Sequence, residues 1–150
     1  MLNIKLSKNF TTDEFACRCC GKCNVDKLLI SRLQLVRDIV GVPIYINSGY
    51  RCESHNKAVG GSPNSQHVQG RAADIRIKGF SVEQMYKLCK NFFTGIGIYP
   101  EQNFIHVDVR DKPATWVYLK SKRKYLTLDQ FQMELEKNLL IKYDYTTSRP

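Results

Sequence analysis

Two histidines and one aspartate constrain the fold of this chain more than any other residues. His67 and Asp74 fall seven residues apart in Ser65-Gln66-His67-Val68-Gln69-Gly70-Arg71-Ala72-Ala73-Asp74, and a second histidine comes much later, in Phe104-Ile105-His106-Val107-Asp108. Two imidazoles and a carboxylate fill three positions around a tetrahedral zinc ion and leave the fourth to water, the pattern of a catalytic rather than a structural site. A fold that uses them this way must bring two distant segments together. The chain has 3 histidines; the third, His55 in Ser54-His55-Asn56, reads as a locally bonded loop residue.

The flanking patterns say what carries these residues. Leu29, Leu33, Val36 and Val40 recur at helical spacing, which predicts a helix over 26–40 ended by Gly41 and Pro43. Ile44-Tyr45-Ile46 reads as a short strand. Residues 47–70 are rich in Gly, Ser, Asn and Pro and read as loop, with a helical turn at 53–59. A loop that long in a small domain is often functional. Ala73-Asp74-Ile75-Arg76-Ile77 alternates as a strand does. Ser81 with Gln84 makes a capping box for a helix running to about Phe93, with Met85, Leu88 and Phe92 as its stripe and Gly95 as its end. Residues 97–99 and 104–109 read as a hairpin around Pro100-Glu101-Gln102-Asn103. Alternation then puts Phe104, His106 and Asp108 on one face and Ile105, Val107 and Val109 on the other. Thr127 with Gln130 caps a last helix, whose Leu128, Phe131, Leu135 and Leu139 face one way. Together these predict an α+β fold, a small antiparallel sheet carrying the zinc site with helices packed on one side. With 150 residues a single domain over 1–150 is expected, ending in a basic loop and helix at 117–150.

Four of the 6 cysteines crowd into Cys17-Arg18-Cys19-Cys20-Gly21-Lys22-Cys23. A structural zinc site uses two ligand pairs across a longer loop, and Cys52 and Cys89 are too isolated to read as the second pair. Reduced thiols or a local disulfide are expected instead. The N-terminal residues lack the apolar segment of a secretory signal, and no run approaches the roughly 20 apolar residues of a membrane span. Synthesis in the cytoplasm is therefore expected, with any passage to a cell wall owed to another factor.

The run Ser48-Gly49-Tyr50-Arg51, then Asn56, Val59-Gly60-Gly61, Ser65-Gln66-His67, Gly70-Arg71-Ala72-Ala73-Asp74, Gly95-Ile96-Gly97-Ile98-Tyr99 and Phe104-Ile105-His106-Val107-Asp108 resembles the zinc D-alanyl-D-alanine carboxypeptidase family. The likeness spans about residues 10–116 and is strongest to the small single-domain members found in phages. The same fold group includes L-alanyl-D-glutamate endolysins and the hedgehog signalling domain. The resemblance implies His67, Asp74 and His106 as zinc ligands, Arg51 as a group that holds or polarises a substrate carboxylate or carbonyl, and Ser65 at the substrate-binding edge. It also implies an acid or histidine shortly before the last zinc histidine. Here Asn103 and Phe104 stand there, and neither is a base. Glu101 and Asp108 are the two catalytic candidates, with Asp108 alternatively orienting a ligand.

The expected activity is zinc-dependent hydrolysis of a peptidoglycan stem peptide, at terminal D-Ala-D-Ala or between L-Ala and D-Glu, by a monomer. The alternative is a non-catalytic zinc module that binds cell wall or a phage structural protein. Lys and Arg number 23 against 14 Asp and Glu, a net +9, which favours a polyanion such as an anionic cell-wall polymer or nucleic acid. Nucleic acid ranks last because it leaves the His/Asp spacing unexplained. The run Lys120-Ser121-Lys122-Arg123-Lys124 reads as a solvated loop or a polyanion-binding patch, Gly60 and Gly61 as a tight turn, and Tyr50 and Trp116 as packing residues.

Overall fold

A computed structural model of the chain describes residues 2–119, 122–127, 129–134 and 136–137. In chain order the elements are α1 (Thr12–Phe15), α2 (Lys27–Val40), β1 (Ile44–Ser48), α3 (Glu53–Ala58), β2 (Ala72–Ile77), α4 (Val82–Cys89), β3 (Gly95–Tyr99), β4 (Phe104–Asp108), β5 (Ala114–Leu119) and β6 (Lys122–Tyr125). The strands form one six-stranded sheet in the order β1-β2-β4-β3-β5-β6. The two strands that bear metal-ligand candidates, β2 and β4, are neighbours near its middle.

Helix boundaries follow local chemistry. Asp26 caps α2 by accepting the Leu28 N–H, and Gly41, at φ 67°, closes it in the left-handed region. Ser81 and Gln84 exchange the two bonds of a capping box at the start of α4. That helix stops at Cys89, short of the expected Phe93, because Phe92 and Phe93 turn back to the Cys89 carbonyl and Phe93 enters the core. Its buried face is Val82, Met85, Tyr86 and Cys89, with Leu88 and Phe92 at the margin. Gly95 is the first residue of β3 rather than a helix terminator.

The sheet is mixed, not purely antiparallel. β3 and β4 form the expected hairpin, with Gly97 opposite His106 and Gly95 opposite Asp108. After β4 the chain crosses the end of β3 and re-enters on its other side, so β5 runs parallel to β3. β6 then pairs antiparallel with β5. The basic run read as a loop thus contributes an edge strand, with Lys122, Arg123 and Lys124 exposed as strand residues.

One face of the sheet is apolar. Ala73, Ile75 and Ile77 of β2, Ile96 and Ile98 of β3 and Ile105 and Val107 of β4 are buried with Leu29, Leu33 and Val36 of α2 and Met85 and Tyr86 of α4. Phe131 follows the Thr127–Gln130 capping box and packs edge-on to Tyr86 at 4.2 Å between ring centres. Leu128, Leu135 and Leu139 of the expected last helix, and the tail beyond it, lie outside the described residues. Because strand side chains alternate, the opposite face receives Asp74 from β2, His106 and Asp108 from β4, and Gly95 and Gly97 from β3.

Candidate metal centre

His67 ends the long loop after α3, Asp74 sits within β2 and His106 within β4. Strand pairing places Asp74 directly opposite His106, and the loop folds back to bring His67 over both. The three donor atoms form an almost equilateral triangle. His67 Nε2 to Asp74 Oδ1, His106 Nδ1 to Asp74 Oδ1, and His106 Nδ1 to His67 Nε2 are each 3.2 Å. A tetrahedron with metal–ligand bonds of about 2.0 Å has edges of about 3.3 Å.

The outer ring nitrogens decide which protons the inner ones lack. His67 Nδ1 faces the Gly49 carbonyl at 2.7 Å. A carbonyl only accepts, so Nδ1 carries the proton and Nε2 offers a lone pair. His106 Nε2 lies 2.7 Å from Asp108 Oδ2, so that nitrogen donates and Nδ1 offers the lone pair. In these tautomers two lone pairs and a carboxylate oxygen converge, a fit to a cation. Burial pushes His67 below its ordinary value despite the Asp74 charge. Burial also opposes charging of His106, but the Asp108 and Asp74 hydrogen bonds outweigh it and raise its pKa. Against burial, His67 and His106 hold the Asp74 carboxyl well below the usual range.

Asp108 is wholly buried and saturated. Besides His106 it receives the Arg110 backbone N–H at 3.1 Å and the Arg110 guanidinium through Nε at 2.9 Å and a terminal nitrogen at 2.6 Å. Burial would raise its pKa, but His106 and Arg110 hold it well below the carboxylate range. Its carboxylate points away from the donor triangle, so geometry favours the ligand-orienting alternative over the catalytic one. Glu101, the other candidate, stands exposed in the turn and is not among the residues lining the cleft. The turn positions it beyond Tyr99, at the far end of the hairpin from Asp108.

The triangle forms the floor of a cleft of about 660 Å³. Arg51 and Ser65, both expected at a substrate, line it. One Arg51 terminal nitrogen lies 3.6 Å from Asp74 Oδ2 and the other donates to Asn56 Oδ1 at 3.2 Å. Ser65 Oγ accepts the His67 N–H at 3.2 Å and so shapes the ligand loop as well. His55, expected to be a bystander, lines the same cleft. Trp116 does more than pack. Its ring lies 5.0 Å from the His106 ring, with Arg110 stacked on it at 5.0 Å and Arg123 at 5.5 Å. It reaches there because Gly97 has no side chain; a β-carbon would sit 2.4 Å from the indole. A β-carbon on Gly95 would likewise strike the Asp108 carboxylate at 2.0 Å. Glycines at alternate positions of Gly95-Ile96-Gly97 were the signal for a face crossed by large neighbours, and the sequence reading did not use it.

The family model for peptidase M15, a metallopeptidase family, matches residues 8–108. The chain belongs to the peptidase M15 family. It is 29% identical over 93 residues to the peptidoglycan L,D-endopeptidase MepK of Escherichia coli (strain K12), covering 57% of this chain and 51% of that protein. It is 37% identical over 71 residues to a probable peptidoglycan L,D-endopeptidase MepK of Haemophilus influenzae, covering 43% and 38%. The chain thus spans at most about half the length of these curated relatives. Among the described residues, no helix is long and apolar enough to cross a membrane.

Proposed function

We propose that this chain is a zinc peptidase that hydrolyses peptidoglycan stem peptides, acting as an endopeptidase at a bond between an L- and a D-residue. The observation that carries the reading is the donor triangle of His67, Asp74 and His106 at the floor of an arginine-lined cleft. Two imidazoles and one carboxylate suit zinc with a fourth position open. The relatives, peptidoglycan L,D-endopeptidases by name, support the substrate and the type of bond.

The cleft's charge fits such a substrate. Among the described residues lining it are Arg18, Arg51, Arg110 and Arg123, against Asp74 as the one carboxylate. Stem peptides carry free carboxylates, which guanidinium groups bind with two-pronged geometry. These 4 arginines are a small share of the chain's 23 Lys and Arg residues, but they are the ones the fold gathers around the donor triangle.

Bound zinc would polarise the scissile carbonyl and bring the pKa of its water to about 7. Gly49 and Asp108 hold the two imidazoles in the tautomers that present lone pairs. Arg51, tethered by Asn56, supplies the donor for the substrate carbonyl or carboxylate oxygen as charge develops there. Trp116 covers one side of His106 and excludes water from it. For proton transfer to the leaving amine we add His55, the imidazole that lines the cleft outside the metal set, to the candidates Glu101 and Asp108.

The test is incubation of purified chain with peptidoglycan, with and without chelator, and mass spectrometry of the soluble products. Stem-peptide fragments that vanish with chelator, return with zinc and are absent for His67→Ala are expected, and their masses name the bond. Release of free D-alanine alone would replace the endopeptidase by a carboxypeptidase. A second reading, a zinc module that binds wall without cutting it, is favoured by the absence of a second carboxylate among the described cleft residues. One bound zinc per chain with no fragments would select it.

A further inference from the structure

The structure contains a second convergence of ligand atoms, on the other side of the loop that carries Arg51. The sulfurs of Cys17, Cys20 and Cys52 all lie within 4.8 Å of one another. Cys17 and Cys52 are 3.6 Å apart, with all six cysteines free. Zinc–sulfur bonds of about 2.3 Å give tetrahedral edges of about 3.8 Å. A disulfide would join two of these sulfurs and leave the third without a role, whereas a shared metal accounts for the whole group.

The backbone around the cluster is arranged for thiolates. The Cys17 N–H donates to the Lys22 carbonyl at 2.7 Å and the Gly21 N–H to the Cys17 carbonyl at 2.8 Å, folding 17–22 into a tight turn. The Cys52 N–H points at the Cys17 sulfur at 3.4 Å. The Ser54 hydroxyl lies 3.2 Å from the Cys52 sulfur, which also faces the His55 N–H. Donors gathered on a sulfur favour its anionic, metal-binding form.

We propose that the thiolates of Cys17, Cys20 and Cys52 bind a structural zinc ion that pins the N-terminal turn to the loop preceding α3. Soft thiolates select zinc over magnesium or calcium. The pin has a target. Residues 49–52 lie between the end of β1 and the start of α3, yet Gly49 sets the His67 tautomer, Arg51 faces Asp74, and the Arg51 N–H donates to the His67 carbonyl at 3.2 Å. The Tyr50 N–H donates to the Phe15 carbonyl at 2.8 Å, a second tie between the same two segments. The structural ion therefore holds the arginine and one ligand's hydrogen-bond partner in register with the catalytic triangle. The assignment stands whether or not the chain is a peptidase.

The experiment is metal stoichiometry on reduced protein prepared without chelator, by plasma mass spectrometry. Wild type is expected to hold two zinc ions per chain, one for each group of ligands. Cys52→Ser, and Cys17→Ser combined with Cys20→Ser, should each hold one, as should His67→Ala combined with His106→Ala. Cobalt added to the double-histidine variant should give a sulfur-to-cobalt charge-transfer band in the near ultraviolet. That band should be lost on further Cys20→Ser substitution at this exposed position, with the far-ultraviolet circular dichroism unchanged. One zinc per chain unaffected by the cysteine variants, a Cys17–Cys52 disulfide in mass mapping, or an iron–sulfur chromophore would overturn the proposal.

Discussion

Replacing Asp108 with asparagine removes the charge of the group that holds His106 while keeping its shape. In the native chain the carboxylate accepts the His106 Nε2 proton at 2.7 Å and four bonds from Arg110, with no exposure to solvent. An amide can still accept from His106, but its NH2 group then confronts the guanidinium or rotates towards the imidazole and selects the wrong tautomer. Loss of such a carboxylate partner costs about 10–100-fold in metal affinity, or about 1.4–2.7 kcal/mol. Arg110 is about a quarter exposed, so water takes over part of its solvation, and the folding cost should stay below the roughly 3–5 kcal/mol of a fully buried orphan charge. The assay is zinc competition against a chromophoric chelator, paired with peptidoglycan turnover at saturating zinc. Weaker zinc binding with most turnover restored at high zinc is the expected result. Unchanged affinity with turnover abolished at saturation would refute the reasoning and return Asp108 to the catalytic role that the sequence left open.

Three further outcomes follow from the same geometry. Arg51→Lys should keep its zinc but lose roughly 100–1000-fold in kcat/KM on peptidoglycan, the usual cost of a donor to developing charge; loss of zinc with activity would instead make Arg51 a support for Asp74. Gly97→Ala should displace the chain's 1 tryptophan, cost about 1–3 kcal/mol in a urea melt and red-shift its fluorescence; an unchanged spectrum would contradict the close approach. In chelator, thermal melts should show stability falling as pH drops below about 6.5, where the unfolded chain takes up a proton that buried His67 resists. A further fall is expected below about 3.8, as the depressed Asp74 and Asp108 carboxyls lose a contribution that is full above that value. His106 acts oppositely, its contribution full below 6.5 and lost as pH rises through its elevated pKa; a melt that rises steadily into acid would refute the balance.

Several features were legible because their causes are local. The α2 start at Asp26, the α4 capping box and the β3–β4 hairpin were read from residues within a few positions of one another. So was the face shared by His106 and Asp108, since strand alternation needs no partner. The parallel seating of β5 was not legible, because the side of β3 on which a strand re-enters depends on the whole sheet. Trp116 was legible as a packing residue, but what it packs on was not: its place over His106 depends on a glycine in a neighbouring strand. Cys52 read as too isolated to be a ligand because Cys17, the sulfur nearest it, is 35 residues away in sequence, and spacing rules look for pairs.

The sequence by itself determined which atoms can bind a metal and which arginines can bind an acid, since donor chemistry belongs to residue type. Tertiary structure decided how those atoms are used. The proton on each imidazole is set by Gly49 and Asp108, contacts made across a loop and along a strand face. The same contacts draw Asp108 to the back of His106, and the hairpin sets Glu101 outside the cleft. A second thiol cluster exists only because the 17–20 turn folds against Cys52. Each of these depends on distances between residues far apart in the chain, which only the folded sheet and its loops determine.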